Sequence, residues 1–221
     1  MHPVIVFQHP QFVVLDKPAG FSVQELAEAY RRFFPQFHPV HRLDRDTSGL
    51  WLIALDAEAN RELSQAFQQQ RVSKYYLAVT HGKPKKKQGR IIGDMQRTRR
   101  GQWKLLHSRN NPAITGFHSV GLEDGKRLVL CRPLTGKTHQ IRVAMKSLGS
   151  PIWGDRLYDA AGAGAADRLY LHAYRLAFQW QQQRFSFTLE PADGCYFGGA
   201  AFAQALTHLQ EVDNNDATDR H

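Results

Sequence analysis

Residues 41–50 bring together side chains that can do chemistry. They read His-Arg-Leu-Asp-Arg-Asp-Thr-Ser-Gly-Leu and lead directly into the apolar run 51–55. A loop that enters a buried strand is held by that strand while it exposes polar groups. Asp44 has arginines on both sides, Arg42 and Arg45, and neighbouring positive charge keeps a carboxylate ionised. The segment therefore predicts an aspartate that acts as a nucleophile or a base.

The same segment allows a second interpretation. Residues 44–47 match the Asp-x-Asp-x-Thr pattern of haloacid-dehalogenase-type phosphatases, in which the first aspartate is phosphorylated and the second acts with Mg²⁺. That pattern should follow an apolar strand, whereas here the apolar run comes after it. The phosphatase is therefore disfavoured. We expect Thr47, Ser48 and Gly49 to hold the loop, because a hydroxyl beside a glycine is typical of turns.

The sequence does not predict a metal site or a cofactor. His38 and His41 lie three residues apart, but Cys, Asp and Glu are absent at convincing ligand spacing. The two cysteines, Cys131 and Cys195, are single and far apart, which argues against a disulfide framework and a Cys-rich zinc site.

The positive charge of the chain is concentrated in residues 81–109. This segment holds ten Lys and Arg against Asp94 alone, which equals the whole net charge of +9. Such a block is typical of a protein that binds a polyanion, most commonly RNA or DNA. A basic run taken alone is about equally typical of a solvated loop. Recurrent glycine and proline predict a hairpin-like arm with short strands.

The length of 221 residues predicts one large domain, residues 1–210, followed by a disordered tail, 211–221. The sequence has no apolar run near the ~20 residues that a membrane span needs, and no basic leader precedes a long apolar stretch. We therefore expect a cytoplasmic protein without membrane contact.

The predicted helices and strands do not follow a regular alternation along the chain. Ser22 and Glu25 match a capping box for a helix that runs to Phe34, and Asp56 caps a second helix. A short helix should end near Gly149, and residues 160–166 should form an excursion without chemistry. The remaining predictions are strands at 4–7, 12–15, 50–55, 74–79, two within 114–133, 169–178 and 184–189, and a helix at 202–209. The expected fold class is α+β, with a mixed, largely antiparallel β-sheet flanked by helices.

Taken in order, several motifs resemble the RluA-type pseudouridine synthases over residues 4–191, nearly the whole chain. They are Asp-Lys-Pro-Ala-Gly at 16–20, the segment 41–50, Lys-x-Tyr-x-Ala at 74–78, Arg-Pro-x-Thr-Gly-Lys-Thr-His-Gln-Ile-Arg at 132–142, Gly-Asp at 154–155 and Leu-His-Ala at 171–173. The resemblance implies isomerisation of a chosen uridine in RNA to pseudouridine, without cofactor or metal.

The resemblance also implies site residues. Asp44 falls on the catalytic aspartate, as nucleophile or as base at the sugar. Tyr76 falls on the active-site tyrosine that stacks on the target base, with Tyr75 the weaker candidate. Arg142 falls on the arginine that pairs with the catalytic carboxylate. A buried carboxylate without such a partner would tend to take up a proton.

Further residues are candidates for contact with RNA. The target uracil must leave the base stack of the RNA. Arg42 either fills the space that the base leaves or bonds the loop backbone, and the sequence favours neither role. Lys137 and His139 are candidates for phosphate or base contact, although a structural role is favoured for His139. The arm candidates are Lys85, Lys86, Lys87, Arg97, Arg99 and Arg100. Ala144 departs from the family, in which many members have histidine.

The expected partner is a stem-loop of ribosomal or transfer RNA, bound by a monomer. The sequence begins directly in the catalytic part, so we expect target choice to rest on that part. A catalytically silent RNA-binding protein of the same fold is the alternative, and intact Asp44, Tyr76 and Arg142 argue against it.

Overall fold

The chain forms two compact units. The computed structural model describes residues 1–159 and 162–218, without the side chains of residues 100 and 213–218. The first unit contains Met1–Tyr75 and His172–Pro191, and the second contains Tyr76–Leu171 and Ala192–His221. Neither unit is a continuous stretch of chain.

Twelve strands and four helices are described. The strands are β1 Val4–Gln8, β2 Phe12–Lys17, β3 His38–Pro39, β4 Ser48–Ala54, β5 Ser73–His81, β6 Gln88–Gly93, β7 Met95–Arg97, β8 Trp103–Leu105, β9 Ala113–Gly121, β10 Lys126–Pro133, β11 Leu171–Trp180 and β12 Gln183–Thr188. The helices are α1 Val23–Tyr30, α2 Ala57–Gln68, α3 Gln140–Ser147 and α4 Gly199–Thr218.

The first unit is built on a mixed sheet. Its strands follow the order β1-β2-β4-β11, with β3 paired to β4 and β12 paired to β11. The β4–β11 pair is parallel, with Ser48 opposite His172, and the other pairs are antiparallel. The predicted fold class, α+β with a mixed and largely antiparallel sheet, is confirmed.

The core of the first unit lies on β2 and β4. Residues 12–15 and 50–54 are buried throughout, as expected of strands that are covered on both faces and therefore have continuous apolar runs. The predicted capping box of α1 is confirmed, because Ser22 accepts the backbone N–H of Glu25 and the Glu25 carboxylate accepts that of Ser22. Asp56 caps α2 as predicted, since its side chain accepts the N–H of Ala59.

The second unit contains an antiparallel sheet in the order β5-β10-β9-β6 and a separate hairpin of β7 and β8. Helices α3 and α4 pack on β9 and β10, and α3 also packs on β8. The predicted arm is therefore a set of short strands within residues 88–105.

Three predicted elements differ from the structure. Helix α1 ends at Tyr30 and not at Phe34, because the apolar spacing beyond Tyr30 belongs to a turn that also buries Phe34. Helix α4 runs to Thr218, beyond the predicted end at residue 209 and into the predicted tail, although the Asp, Asn and Thr of residues 211–218 have weak helix propensity. Of the predicted excursion 160–166, residues 162–165 form turns and residues 160–161 lie outside the described part.

Candidate active site

Asp44 lies in a tight turn that precedes β4. The N–H of Thr47 donates to the Asp44 carbonyl at 3.1 Å. Leu43 and Thr47 are buried, Asp44 is half-buried, and Arg42 and Asp46 are exposed. The turn thus buries its apolar and hydroxyl residues and places Asp44 at the boundary between the interior and solvent.

Lys17 fixes the backbone on the carboxyl side of Asp44. Its side chain is fully buried, and its ammonium donates to the carbonyl oxygens of Pro18, Arg45 and Thr47 at 2.7, 3.0 and 2.9 Å. An ammonium has three N–H donors, which matches these three acceptors. This role was not predicted from the sequence, although a lysine at the end of the apolar strand Phe-Val-Val-Leu-Asp-Lys was a signal.

Arg45 ties the same turn to the beginning of α1. Its guanidinium donates to Glu25 Oε1 at 2.8 Å and to the Gly20 carbonyl at 2.9 Å. Hydrogen bonds from Ser22 and from Arg45 lower the pKa of Glu25 to about 2. The Glu25 carboxylate therefore stays ionised and continues to bind Arg45 across the neutral range.

His41 has a structural environment. Its Nε2 accepts the N–H of Leu52 at 2.9 Å, and its ring stacks on Phe67 at a centroid distance of 4.6 Å. Desolvation, together with the nearby Lys74 ammonium, lowers the pKa of His41 to about 3. The imidazole is therefore neutral and acts as a hydrogen-bond acceptor that holds the chain before Asp44.

The Thr-Ser-Gly end of segment 41–50 lies where β4 begins and contacts β11. Ser48 Oγ and His172 Nδ1 form a buried hydrogen bond of 2.8 Å, and His172 Nε2 bonds the Leu189 carbonyl at 2.9 Å. Gly49 has φ +106, and a Cβ there would lie 2.4 Å from the Ala173 carbonyl oxygen. The motifs Thr-Ser-Gly and Leu-His-Ala thus meet where the two strands are parallel.

Tyr76 and Arg142 lie in the second unit. Tyr76 is half-buried on β5, opposite Cys131 of β10. Arg142 lies on α3 and forms a two-point pair with Asp155, from Nε to Oδ2 at 2.8 Å and from a terminal nitrogen to Oδ1 at 2.8 Å. The Arg142 side chain is 11% exposed and that of Asp155 is 0% exposed. This buried pair fixes the plane of the guanidinium.

The turn before α3 is held by Gln140. Its amide oxygen accepts the Thr135 hydroxyl and the Lys137 N–H, and its nitrogen donates to the Ile114 carbonyl and the Thr115 hydroxyl, all within 2.7–3.0 Å. Among the predicted RNA contacts, the Lys137 ammonium donates to Asn111 Oδ1 at 2.8 Å. His139 precedes α3 in a left-handed conformation and bonds Tyr158.

The basic arm is exposed. Five of its six candidate side chains, Lys85, Lys86, Lys87, Arg97 and Arg99, lie at the surface. The side chain of the sixth, Arg100, lies outside the described part. Asp94 has a structural role, because its carboxylate accepts the N–H groups of Asn110 and Asn111 at 3.0 and 2.8 Å.

Neither a metal site nor a membrane span is found among the described residues. They contain no group of three or more His, Cys, Asp or Glu arranged to hold a metal ion. Within residues 1–159 and 162–218, no helix is long and apolar enough to cross a membrane.

Comparison with known proteins identifies relatives over nearly the whole chain. An uncharacterized RNA pseudouridine synthase of Haemophilus influenzae is 47% identical over 201 residues, which cover 87% of this chain and 89% of the relative. The dual-specificity RNA pseudouridine synthase RluA of Escherichia coli is 36% identical over 206 residues, with coverage of 86% and 93%.

Solved structures agree with these relatives. The human RNA pseudouridylate synthase domain containing 1 has a TM-score of 0.78 at 26% identity and covers 95% of each chain. The human RNA pseudouridylate synthase domain containing 4 shares the fold, with a TM-score of 0.70 at 22% identity and coverage of 94% and 93%. The family model described as RNA pseudouridylate synthase matches residues 11–147. The chain therefore belongs to the RNA pseudouridylate synthase family, the isomerases that convert uridine in RNA to pseudouridine.

Proposed function

We propose that the chain isomerises a chosen uridine in a stem-loop of ribosomal or transfer RNA, with Asp44 as the group that reacts at the sugar. Family membership supplies the reaction, and the resemblance of residues 41–50 supplies the aspartate. The observation that carries the assignment is the turn, in which Lys17 and Arg45 fix the backbone beside a half-buried carboxyl group. Such fixation holds a reacting group in one geometry and lowers the entropic cost of reaction.

The reaction exchanges one glycosidic bond for another. The bond from C1′ to N1 of uracil breaks, the base turns, and a bond from C1′ to C5 forms. C5 loses its hydrogen to solvent and N1 gains a proton, so the product has the same composition as the substrate. Asp44 acts either by attacking C1′ or by removing a proton from the sugar, and both alternatives require its ionised form.

Tyr76 is proposed to stack on the target uracil after the base leaves the RNA stack. Expelling a base costs a few kcal/mol, and an aromatic face offsets part of this cost because stacking on aromatic side chains is favourable. Tyr76 is half-buried on β5, so part of its side chain is exposed to solvent. Tyr75 is the weaker candidate, and the Arg175 guanidinium lies 6.0 Å from its ring centroid.

Arg142 is proposed to act on the charge of the catalytic carboxylate. A guanidinium is planar, and the pair with Asp155 orients that plane. Asp155 is itself fixed by the backbone N–H groups of Leu157 and Tyr158. The positive charge of Arg142 is therefore held in a fixed position.

RNA binding is proposed for the second unit. This unit holds nineteen Lys and Arg and eleven Asp and Glu, a net charge of +8, whereas the first unit has +1. Phosphate contacts position a substrate without reading its sequence, and the exposed cations of the arm fit that role. The proposed contacts are Lys85, Lys86, Lys87, Arg97, Arg99, Arg100, Lys137, His139 and, beside Asp44, Arg42.

We further propose that the protein acts as a monomer in the cytoplasm. The proposal for the compartment rests on the substrate, since ribosomal and transfer RNA are found there.

Tritium release tests the proposed function. Total RNA labelled with tritium at uracil C5 is incubated with the purified chain, with and without EDTA, and released tritium is measured. We expect release that EDTA does not affect and that Asp44→Asn abolishes, because the variant lacks the reacting oxygen. RNA binding should stay within about threefold, since phosphate contacts are unchanged. Asp46→Asn is the matched control, because it removes the same charge from an exposed position two residues away.

Three results would contradict the proposal. Full turnover by Asp44→Asn would exclude this aspartate, and equal loss in Asp44→Asn and Asp46→Asn would show a general charge effect. Tight RNA binding by the wild type without release from any RNA pool would favour the silent binder.

A further inference from the structure

Tyr158 fastens the basic hairpin, β7 and β8, to the body of the second unit. Its side chain is buried, and its hydroxyl accepts the backbone N–H of Trp103, the first residue of β8, at 2.9 Å. Beside it, Gln102 donates its amide N–H to the Leu157 carbonyl at 2.8 Å. Two hydrogen bonds thus join the second strand of the hairpin to residues 157–158.

The Tyr158 side chain also contacts His139, the residue before α3, and one face of α3. The hydroxyl bonds His139 Nδ1 at 2.9 Å. The guanidinium carbon of Arg142 lies 5.1 Å from the ring centroid, and the Lys146 ammonium lies 5.4 Å from it. Residues spaced by three and four positions share a helix face, so this face of α3 is organised around the Tyr158 ring.

Asp155 strengthens the same connection. Its Oδ1 accepts a guanidinium N–H of Arg142 at 2.8 Å and the backbone N–H of Tyr158 at 3.1 Å. Tyr158 and Arg142 therefore share one buried carboxylate oxygen in addition to their direct contact. A displacement of Tyr158 would move the group that orients Arg142.

We propose that Tyr158 is a positioning residue, which couples the seating of RNA on the basic hairpin to the placement of Arg142. The inference rests on the proposed function, because it takes the hairpin as an RNA contact and Arg142 as part of the catalytic machinery. When bound RNA positions the hairpin, it also positions β8, which contacts the Tyr158 hydroxyl through the Trp103 N–H. The Tyr158 ring in turn positions the Arg142 guanidinium. Weakly seated RNA then meets a less ordered Arg142, which favours correct substrates at the chemical step.

Tyrosine is suited to this position. A hydroxyl has one donor and two acceptor sites, so the oxygen that accepts the Trp103 N–H also bonds His139 Nδ1. Phenylalanine keeps the ring beside Arg142 but leaves the backbone N–H of half-buried Trp103 without this acceptor. Tyr158→Phe therefore removes the hydroxyl bonds to Trp103 and His139, keeps the bond between Gln102 and Leu157, and keeps the ring beside Arg142.

Tyr170 provides a matched control. It is also buried in the second unit, and its hydroxyl donates to Asp167 Oδ1 at 2.6 Å and accepts the Tyr196 N–H at 3.2 Å. These bonds involve neither the hairpin nor α3. Tyr170→Phe thus removes the same atom from an equally bonded hydroxyl outside the proposed connection.

The test combines each tyrosine variant with Arg97→Gln, which removes an exposed charge from β7. Tritium release from C5-labelled total RNA gives the rate at saturating RNA and the RNA concentration for half-maximal rate. We expect Tyr158→Phe to lower the saturating rate by at least about fivefold. In the wild type and in Tyr170→Phe, Arg97→Gln should lower both the rate and the affinity. In Tyr158→Phe it should lower the affinity alone.

Amide hydrogen exchange shows whether Tyr158→Phe keeps its fold. The Trp103 amide should exchange faster, whereas the Leu106 amide, which bonds the Asp94 carbonyl within the arm, should be unchanged. Faster exchange at both amides would mean that the hairpin has unfolded. A lower rate of tritium release would then result from lost structure, and the proposed coupling would be wrong.

The outcomes separate the two proposals. Release by the wild type, with Tyr158→Phe and Tyr170→Phe within twofold of each other, would overturn the coupling and leave the proposed function intact. Equal effects of Arg97→Gln in every background would overturn it too. No release by the wild type would overturn the proposed function and this inference with it.

Discussion

At the scale of single residues, the backbone next to Asp44 is set by one buried charge. A lysine without exposed surface is rare unless its ammonium is satisfied, and Lys17 meets this condition with three backbone carbonyls. Two of those carbonyls belong to Arg45 and Thr47, the first and third residues after Asp44. The position of the Asp44 carboxyl group thus depends on a side chain 27 positions earlier in the sequence.

Replacing Lys17 should destabilise the protein. We expect Lys17→Met to lower the free energy of unfolding by about 3 kcal/mol, because a buried acceptor left without its partner costs about 1–3 kcal/mol and three are affected. Urea-induced unfolding, followed by intrinsic fluorescence, measures this loss. Lys86→Met makes the same substitution at an exposed position and should stay within about 0.5 kcal/mol of the wild type. Equal stability of the two variants would show that the carbonyls find other partners.

Part of the candidate site could be predicted from the sequence at this scale. Asp44 was predicted as the reacting group because reactive side chains adjoin an apolar strand, and this assignment stays a prediction. His139 was assigned a structural role that its bond to Tyr158 fits. Lys17, Asp155 and Tyr158 received no role, because each acts through partners that are distant in sequence. Local patterns report neighbouring residues, whereas a buried ion pair depends on how the chain returns on itself.

At the scale of elements, the parallel pair of β4 and β11 is specified by a close approach at Gly49. The backbone of Ala173 leaves no space for a Cβ, and φ of +106 is a conformation that side chains rarely adopt. The hydrogen bond between Ser48 and His172 fixes the adjacent position. The register of the pair, and with it the exit of the Asp44 turn into β4, depends on these contacts.

Gly49→Ala should therefore be strongly destabilising. We expect a loss of about 3 kcal/mol or more, since the variant combines an unfavourable φ with overpacking against backbone. Thermal unfolding followed by circular dichroism checks this expectation. Gly121→Ala, at the end of β9, is the control, because a Cβ there meets nothing within 4 Å, and its unfolding temperature should not fall. A Gly49→Ala variant as stable as Gly121→Ala would mean that the two strands can separate without cost.

The elements themselves were predicted well where apolar periodicity and caps agree. Strands β2, β4, β9 and β10 and helices α1 and α2 occur near their expected positions. The two-residue strand β3 was missed because it is too short to carry a period. The end of α4 was missed because residues 211–218 lack an amphipathic stripe and are mainly Asp, Asn and Thr, which have weak helix propensity.

At the scale of the whole molecule, almost all of the net positive charge lies in one of the two units. The second unit has a net charge of +8 and the first +1, and residues 81–109 alone account for +9. The family match, in contrast, extends through both units over residues 11–147. Binding of the RNA backbone is therefore expected to depend on one unit, whereas the residues proposed for chemistry come from both.

Salt dependence of RNA binding distinguishes the charges of the two units. Replacing Lys85, Lys86 and Lys87 with Gln should reduce the slope of log affinity against log salt by about 0.7 for each phosphate that is no longer neutralised, or about 2 for all three. The control removes three exposed charges from the first unit, in Arg31→Gln, Arg61→Gln and Arg71→Gln together. Both variants carry a net charge of +6, so a general field effect would change both slopes equally. Filter binding of a fixed RNA stem-loop at several salt concentrations measures them. A slope altered only in the arm variant would place the phosphate contacts on the arm, and equal slopes in the two variants would make the lysine run a bystander.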